Sequence, residues 1–315
     1  MSTGTCFLLI SGPLRRTSVP LFHDQAGTMD ATPRSLEELR REIDLIDREL
    51  HSLIQRRGGL AGEIAEIKQR EGLDKVRPGR EAVLLRQLAA RHEGEFPVGA
   101  LLRIWRELIS SLVQMEMSDY VIAVYVTERD QGFWDLARDQ FGSRTRMTAH
   151  SSARVAISQV IDGAATIAVV PCPTEAVPGS WWPNLCGLDA PRILYRLPFF
   201  GRGNTRGVVG DAQDGIAIGR MAAEETGDDR TVLVLETGGN LSRTGLVEIL
   251  TAAHLKPTLL AANAAGARLC YAEIEGFIAD GDNRLKLLHD SNSIERVNII
   301  GNYATPMGCP ITAGD

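Results

Sequence analysis

The chain lacks the usual marks of metal, disulfide and membrane chemistry. Its five cysteines (6, 172, 186, 270, 309) form no CxxC pair and no zinc-ligand spacing. An odd, dispersed set reads as reduced thiols in a cytoplasmic protein. Six histidines are scattered without an HExxH pattern, so no metal cage is expected. No run of 18 apolar residues occurs, which excludes a membrane-spanning helix. The net charge of −6 leaves no global basic field for nucleic acid. No nucleophile has a base beside it in the sequence. Catalysis by this chain would have to rest on cations, hydrogen-bond donors and shape. Aromatics make up only 5% of the residues, and Trp181 and Trp182 share one loop, where core plugging is the favoured role over stacking on a ligand. Residues 1–34 read as a disordered tail, or as translation begun ahead of Met29. Their apolar run precedes Arg15 and Arg16, the wrong order for a signal peptide.

What is present begins with Ser35 to Arg70. Leu36, Leu39, Ile43, Ile46, Leu50, Leu53, Ile54, Leu60, Ile64 and Ile67 recur mostly three or four apart, the spacing of one helical stripe. Ser35 and Glu38 form a capping-box start. At about 1.5 Å per residue the helix is roughly 50 Å long, longer than a small domain is wide, so a second chain is the expected cover. Gly58 and Gly59 are its weak point. Arg57 and Lys68 fall within roughly 20° of one face at about 100° per residue, and Arg40 lies roughly 100° from Arg57. An antiparallel two-fold pairing would bring Arg40 of one chain to the site of the other. A second helix opens at Pro78 and runs to Ala90, with Val83, Leu84 and Leu88 inward. A third opens at Pro97 and runs through Leu101, Leu102, Ile104, Trp105, Leu108, Ile109 and Leu112 to Glu116, which shares the stripe of Leu108 and Leu112 and is expected inward.

From Ser118 the pattern turns to short, β-rich apolar runs (121–126, 165–171, 192–199, 215–220), with helical pieces near 133–141 and 153–160. This is an α/β pattern. From Arg230 the order is βαββαβ, the ferredoxin-like arrangement, followed by a polar tail. The expected domains are 35–117, all-α; 118–229, α/β; and 230–305, α+β; with tails at 1–34 and 306–315.

LRREIDLIDRELHSLIQRR, EIAEIK, the Arg80–Glu81 pair and IWRELISSLVQMEM together resemble the all-helical class of chorismate mutase. The order of segments is similar to the bifunctional chorismate mutase/prephenate dehydratase enzymes, with a C-terminal ACT domain. The resemblance implies an intertwined dimer that rearranges chorismate to prephenate in aromatic amino acid biosynthesis, with no metal or cofactor. It implies that Arg40 holds one substrate carboxylate from the neighbouring subunit and Arg57 holds a carboxylate within the chain. Lys68 bonds a carboxylate and the ether oxygen, Arg80 lines the site, and Glu81 accepts from the ring hydroxyl. Glu116 falls where the family has Gln or Glu on the ether oxygen. As Glu it has to be protonated to donate there, so activity is expected to fall as the pH rises. Arg77 stands where some members carry Asp, and Leu112 where some carry Ser.

The α/β stretch departs further from its counterpart. In place of the family's Thr-Arg-Phe stands Gln213, Asp214, Gly215; Thr205 and Arg206 lie nearby in a poor register. The run after the first strand is VTERDQGFW, and that after the third is Cys172, Pro173, Thr174, Glu175. The expectation is a degenerate dehydratase-like domain without dehydratase activity. The C-terminal unit resembles an ACT domain through GGNLSRTGLVEIL and YAEIEGFI, with AANAAG in place of the phenylalanine-associated motif. An aromatic amino acid effector and a dimer contact or scaffold role both stay open for it. A working bifunctional enzyme and a non-catalytic ACT-type regulator are the competing readings.

Overall fold

The computed structural model describes residues 34–128, 131–173, 180–202, 214–238, 241–262, 268–291 and 293–308. The N-terminal tail, Thr205, Arg206, Gln213, Thr174, Glu175 and most of AANAAG lie outside the described residues. The chain divides into two units, 1–55 and 56–315. Among the described residues no helix is long and apolar enough to cross a membrane.

Helix α1 spans Leu36–Glu71 and continues through Gly58, Gly59 and Gly62. In the first unit its start is capped as the sequence predicts. Ser35 Oγ accepts from the Glu38 backbone N–H at 3.2 Å, while the Glu38 carboxylate accepts from the Ser35 N–H at 2.7 Å. The Ser35 hydroxyl also donates to that carboxylate at 2.8 Å, and this bond together with the one from the Ser35 N–H holds the exposed Glu38 carboxyl below its ordinary range. None of the residues of α1 is buried, and Ile43, Leu50, Leu53, Leu60 and Ile64 are each about half exposed or more.

In the second unit α2 (Pro78–Ala90) and α3 (Val98–Glu116) pack on each other. Pro78 begins α2 as expected, but Pro97 is the cap of α3 and not its first residue. Of the predicted inner face of α2, Leu88 is buried, while Val83 and Leu84 are only partly so. Ala82, Leu85 and Leu88 are buried on α2, and Leu102, Arg106, Ser110 and Val113 on α3, while Ile104 is 46% exposed. The cause lies downstream: Phe199, Phe200, Ala304 and Met307 close this core, so the helices present the faces that meet them. Full burial of Leu85 alone contributes roughly 2 kcal/mol. Part of the expected polar tail is therefore structural, since the Met307 N–H donates to the Phe199 carbonyl at 2.7 Å.

The remainder is one nine-stranded sheet. In chain order it comprises β1 (Val121–Tyr125), α4 (Gly132–Phe141), β2 (Arg146–His150), α5 (Ala153–Ile161), β3 (Ile167–Pro171), β4 (Arg192–Leu197) and β5 (Gly215–Gly219). There follow β6 (Asp229–Thr237), α6 (Arg243–Ala252), β7 (Pro257–Ala262), β8 (Leu269–Glu275), α7 (Asn283–Asp290) and β9 (Ile294–Ala304). The sheet order is β2-β1-β3-β5-β4-β9-β6-β8-β7. Strands β2, β1 and β3 are parallel, and β1 and β3 are buried on both faces between α4 and α5. This explains their unbroken apolar runs. Strand β2 was not visible as an apolar run because it is a half-exposed edge strand. The last four strands have the antiparallel order β9-β6-β8-β7 of a ferredoxin-like unit.

The two halves of the sheet join where β4 meets β9, Ile193 opposite Gly301. A Cβ at Gly301 would lie 2.3 Å from the Ile193 carbonyl oxygen, so only glycine allows this approach. Trp182 is 1% exposed and packs at a tilt against Tyr271, and Trp181 donates to the Pro171 carbonyl at 2.9 Å. The tryptophans are core.

Candidate functional site

Lys68 lies in the last turn of α1 and Glu116 is the last residue of α3. The structure brings them together: Lys68 Nζ is 3.3 Å from Glu116 Oε2, with the two side chains only 14% and 10% exposed. Lys68 Nζ also donates to the Lys75 carbonyl at 2.9 Å, and Lys75 Nζ donates to the Glu116 carbonyl at 3.1 Å, satisfying one orphan carbonyl at the C-terminus of α3. An ammonium has three donors. These two bonds leave Lys68 one proton for a ligand.

Arg57 sits three turns earlier on the same helix. Its Nη1 is buried and has no hydrogen-bond partner. Burial pulls this guanidinium below its ordinary range, because the cation is desolvated without compensation. A buried unpaired donor of this kind is costly, and an anion would satisfy it.

Glu81, in the first turn of α2, is held from inside. Arg106 Nη1 donates to its Oε2 at 2.9 Å and the Tyr195 hydroxyl to the same oxygen at 3.3 Å. Burial pushes the Glu81 carboxyl up, against the opposing pull of Arg106, Tyr195 and Lys68. Burial and the neighbouring Glu81 likewise raise Tyr195. Arg106 lies over the Phe199 ring at 5.4 Å, and Gln140 accepts from it at 2.8 Å when its amide oxygen faces the guanidinium. Both bonds to Glu81 fall on one oxygen.

Arg80 is exposed, and its backbone N–H donates to Glu224 Oε2 at 3.2 Å. Arg40 is exposed in the first unit. A cavity of about 240 Å³ opens beside Lys68, lined also by Leu73, Asp74, Val76, Arg77, Ala222 and Glu224. Thus Lys68, Glu116 and Glu81 share one neighbourhood, with Arg57 separate on the same helix. Sequence reasoning missed Arg106, Tyr195, Lys75 and Glu224. Arg106 stands four residues after Leu102, a signal that its side of α3 is inward; the other three gave none.

A second charged cluster lies where the end of β3, the end of β4 and the start of β5 meet β8. Arg196 pairs with Asp214 at 2.7 Å and with Glu273 at 3.0 Å, and Tyr271 donates to Glu273 at 3.0 Å. The Cys172 N–H donates to the Asp214 carbonyl at 3.2 Å, and burial drives the Cys172 thiol far up.

Residues 39–117 match the family model described as chorismate mutase type II. The bifunctional chorismate mutase/prephenate dehydratase of Aquifex aeolicus is 32% identical over 140 residues, covering 43% of this chain. The chain spans 38% of the length of that curated relative. Among solved structures, GqqA, described as a novel type of quorum-quenching acylase, is 17% identical with a TM-score of 0.42, covering 59% of this chain and 95% of its own. A prephenate dehydratase from Arthrobacter aurescens, in complex with L-Phe, is 14% identical with a TM-score of 0.42, covering 59% of this chain and 90% of its own.

Proposed function

We propose that this protein rearranges chorismate to prephenate, using the helical segment 35–117. The observation that carries the reading is the Lys68–Glu116 pair at the ends of α1 and α3, on a helix that also holds Arg57 with an unsatisfied buried nitrogen. The reaction is pericyclic and needs no nucleophile or base. Chorismate is a dicarboxylate, and Arg57 and Lys68 are suited to hold its anionic groups. Along the axis they lie about 16 Å apart by helix geometry, a span that two long side chains can close on one small ligand. Holding the compact conformer lowers the entropic part of the barrier. As the C–O bond breaks, negative charge grows on the ether oxygen. The free Lys68 proton and a protonated Glu116 stabilise it more than they stabilise the substrate. Glu81, fixed by Arg106 and Tyr195 through one oxygen, keeps its other oxygen to accept from the ring hydroxyl.

The protein acts as a homodimer in this reading, with Arg40 supplied across the interface to the second carboxylate. The exposed apolar stripe of α1 supports a protein cover. The β-rich region from 118 to 229 is dehydratase-like and inactive. There a single cation, Arg196, faces two carboxylates, Asp214 and Glu273, so the cluster carries a net negative charge that disfavours a dicarboxylate substrate. The unit from 230 to 305 is ACT-like, with an aromatic amino acid as a candidate effector, and the enzyme is cytoplasmic. The name of the Aquifex relative favours a second reading, a working bifunctional enzyme. One assay separates them. Purified protein is given chorismate and the product identified: prephenate that persists supports the first reading, phenylpyruvate the second, and untouched chorismate refutes both.

A further inference from the structure

The cavity beside Lys68 has two walls from distant parts of the chain. One is the turn between α1 and α2, residues Leu73, Asp74, Val76 and Arg77; the other is the strand exit after β5, where Ala222 and Glu224 stand. Four bonds hold the walls together. Asp74 Oδ2 accepts from the Ala222 N–H at 2.9 Å. Glu224 Oε1 accepts from Arg77 Nε at 2.9 Å, with the Arg77 terminal nitrogen also on that oxygen, and Glu224 Oε2 accepts from the Arg80 N–H at 3.2 Å. The sequence leaves room for this arrangement. A Cβ at Gly79 would lie 2.7 Å from Glu224 Cβ, so glycine there lets the segment approach. The residue capping α2, Arg77, gives no side-chain cap. Glu224 takes that place, its charge set against the positive end of the helix.

We infer that the mutase cavity is composite, and that Glu224, from outside the helical segment, is a positioning residue that aims Arg77 and the first turn of α2 at the substrate. One carboxylate thereby holds one guanidinium and the backbone of a second arginine at the rim of a cavity that already contains the Lys68 ammonium. The dicarboxylate substrate meets these cations already oriented. The inference rests on the reading of the site as a chorismate mutase.

The test is steady-state kinetics and calorimetric chorismate binding with the full chain and four variants: Glu224→Ala, Glu224→Gln, Arg77→Met and the double variant Arg77→Met/Glu224→Ala. Glu224→Ala is expected to raise KM and Kd about five- to twentyfold, with kcat changed less than about twofold. Glu224→Gln, whose amide oxygen still accepts, should recover most of that loss. The double variant should be little worse than Arg77→Met, because the carboxylate acts through that guanidinium. Unchanged or lowered KM in Glu224→Ala overturns the inference, as does a fall in kcat together with Tm that Glu224→Gln does not restore. If the wild type converts chorismate and the Glu224 variants match it, only this inference fails. If the wild type neither binds nor converts chorismate, the reading of the site fails, and this inference with it.

Discussion

Glu116 is the residue whose chemistry can be tested most sharply. Its Oε2 accepts from Lys68 at 3.3 Å, so only its other oxygen can face the breaking C–O bond. A carboxyl donates from that oxygen when protonated and repels the developing charge when ionised. Loss of one donor to a developing oxyanion costs about 2.7–4 kcal/mol, or roughly 10²- to 10³-fold in kcat. Glu116→Ala removes the group and should lower kcat by that factor. Glu116→Gln keeps both bonds: its carbonyl accepts from Lys68 and its amide donates to the ether oxygen. The variant should therefore hold kcat at or above the wild-type value. Its cost is the exchange of a carboxylate–ammonium pair for an amide–ammonium hydrogen bond, about 1 kcal/mol of stability. The assay is the initial rate of chorismate loss at saturating substrate, with thermal melts alongside. A Glu116→Ala variant that keeps more than a tenth of the wild-type rate, or a Glu116→Gln variant that loses as much as Glu116→Ala, would refute the assignment.

Lys68→Ala should lower kcat about 10²-fold or more, as read by initial rates at saturating chorismate; retention of more than a tenth of the rate argues for a ligand-binding role alone. Arg57→Ala should raise KM roughly 10- to 100-fold without lowering Tm, because the buried Nη1 has no protein partner to lose; a clear drop in Tm contradicts that. Gly301→Ala should destabilise the fold by about 3 kcal/mol or more in urea titration, since its Cβ would sit 2.3 Å from the Ile193 carbonyl oxygen and 2.5 Å from its nitrogen. Glu81→Gln should change the pH dependence of stability. Burial raises the folded-state value of Glu81, so its contribution is full below the unfolded value of about 4.3 and is lost as pH rises through the folded one. Urea midpoints at pH 4 and 7 should move in favour of the glutamine variant at the higher pH, and a constant difference would contradict the shift.

The parts of the fold that could be read from the sequence are those set by local periodicity. The stripe of α1, the capping box at Ser35, the buried runs of β1 and β3, and the βαββαβ order each repeat over several residues, and the chain adopts them. What escaped was decided by distant partners. The inner face of α3 includes Arg106 because Glu81 accepts from it and Phe199 lies beneath it. Leucines 101 and 108 mark an apolar stripe, but periodicity cannot rank that stripe against a neighbouring one whose arginine has a buried counter-ion. The same limit applies at the site. Lys68 and Glu116 were legible because they end helices whose lengths the sequence sets. Glu224 was not, because its place depends on the close approach that Gly79 permits and on the path of the chain after β5. The departure at Arg77 was visible as a cation where some members of the resembled family carry Asp; its meaning appears only beside Glu224. The carboxylate at that rim comes from the segment facing α2, from a residue that no local pattern could connect to Arg77.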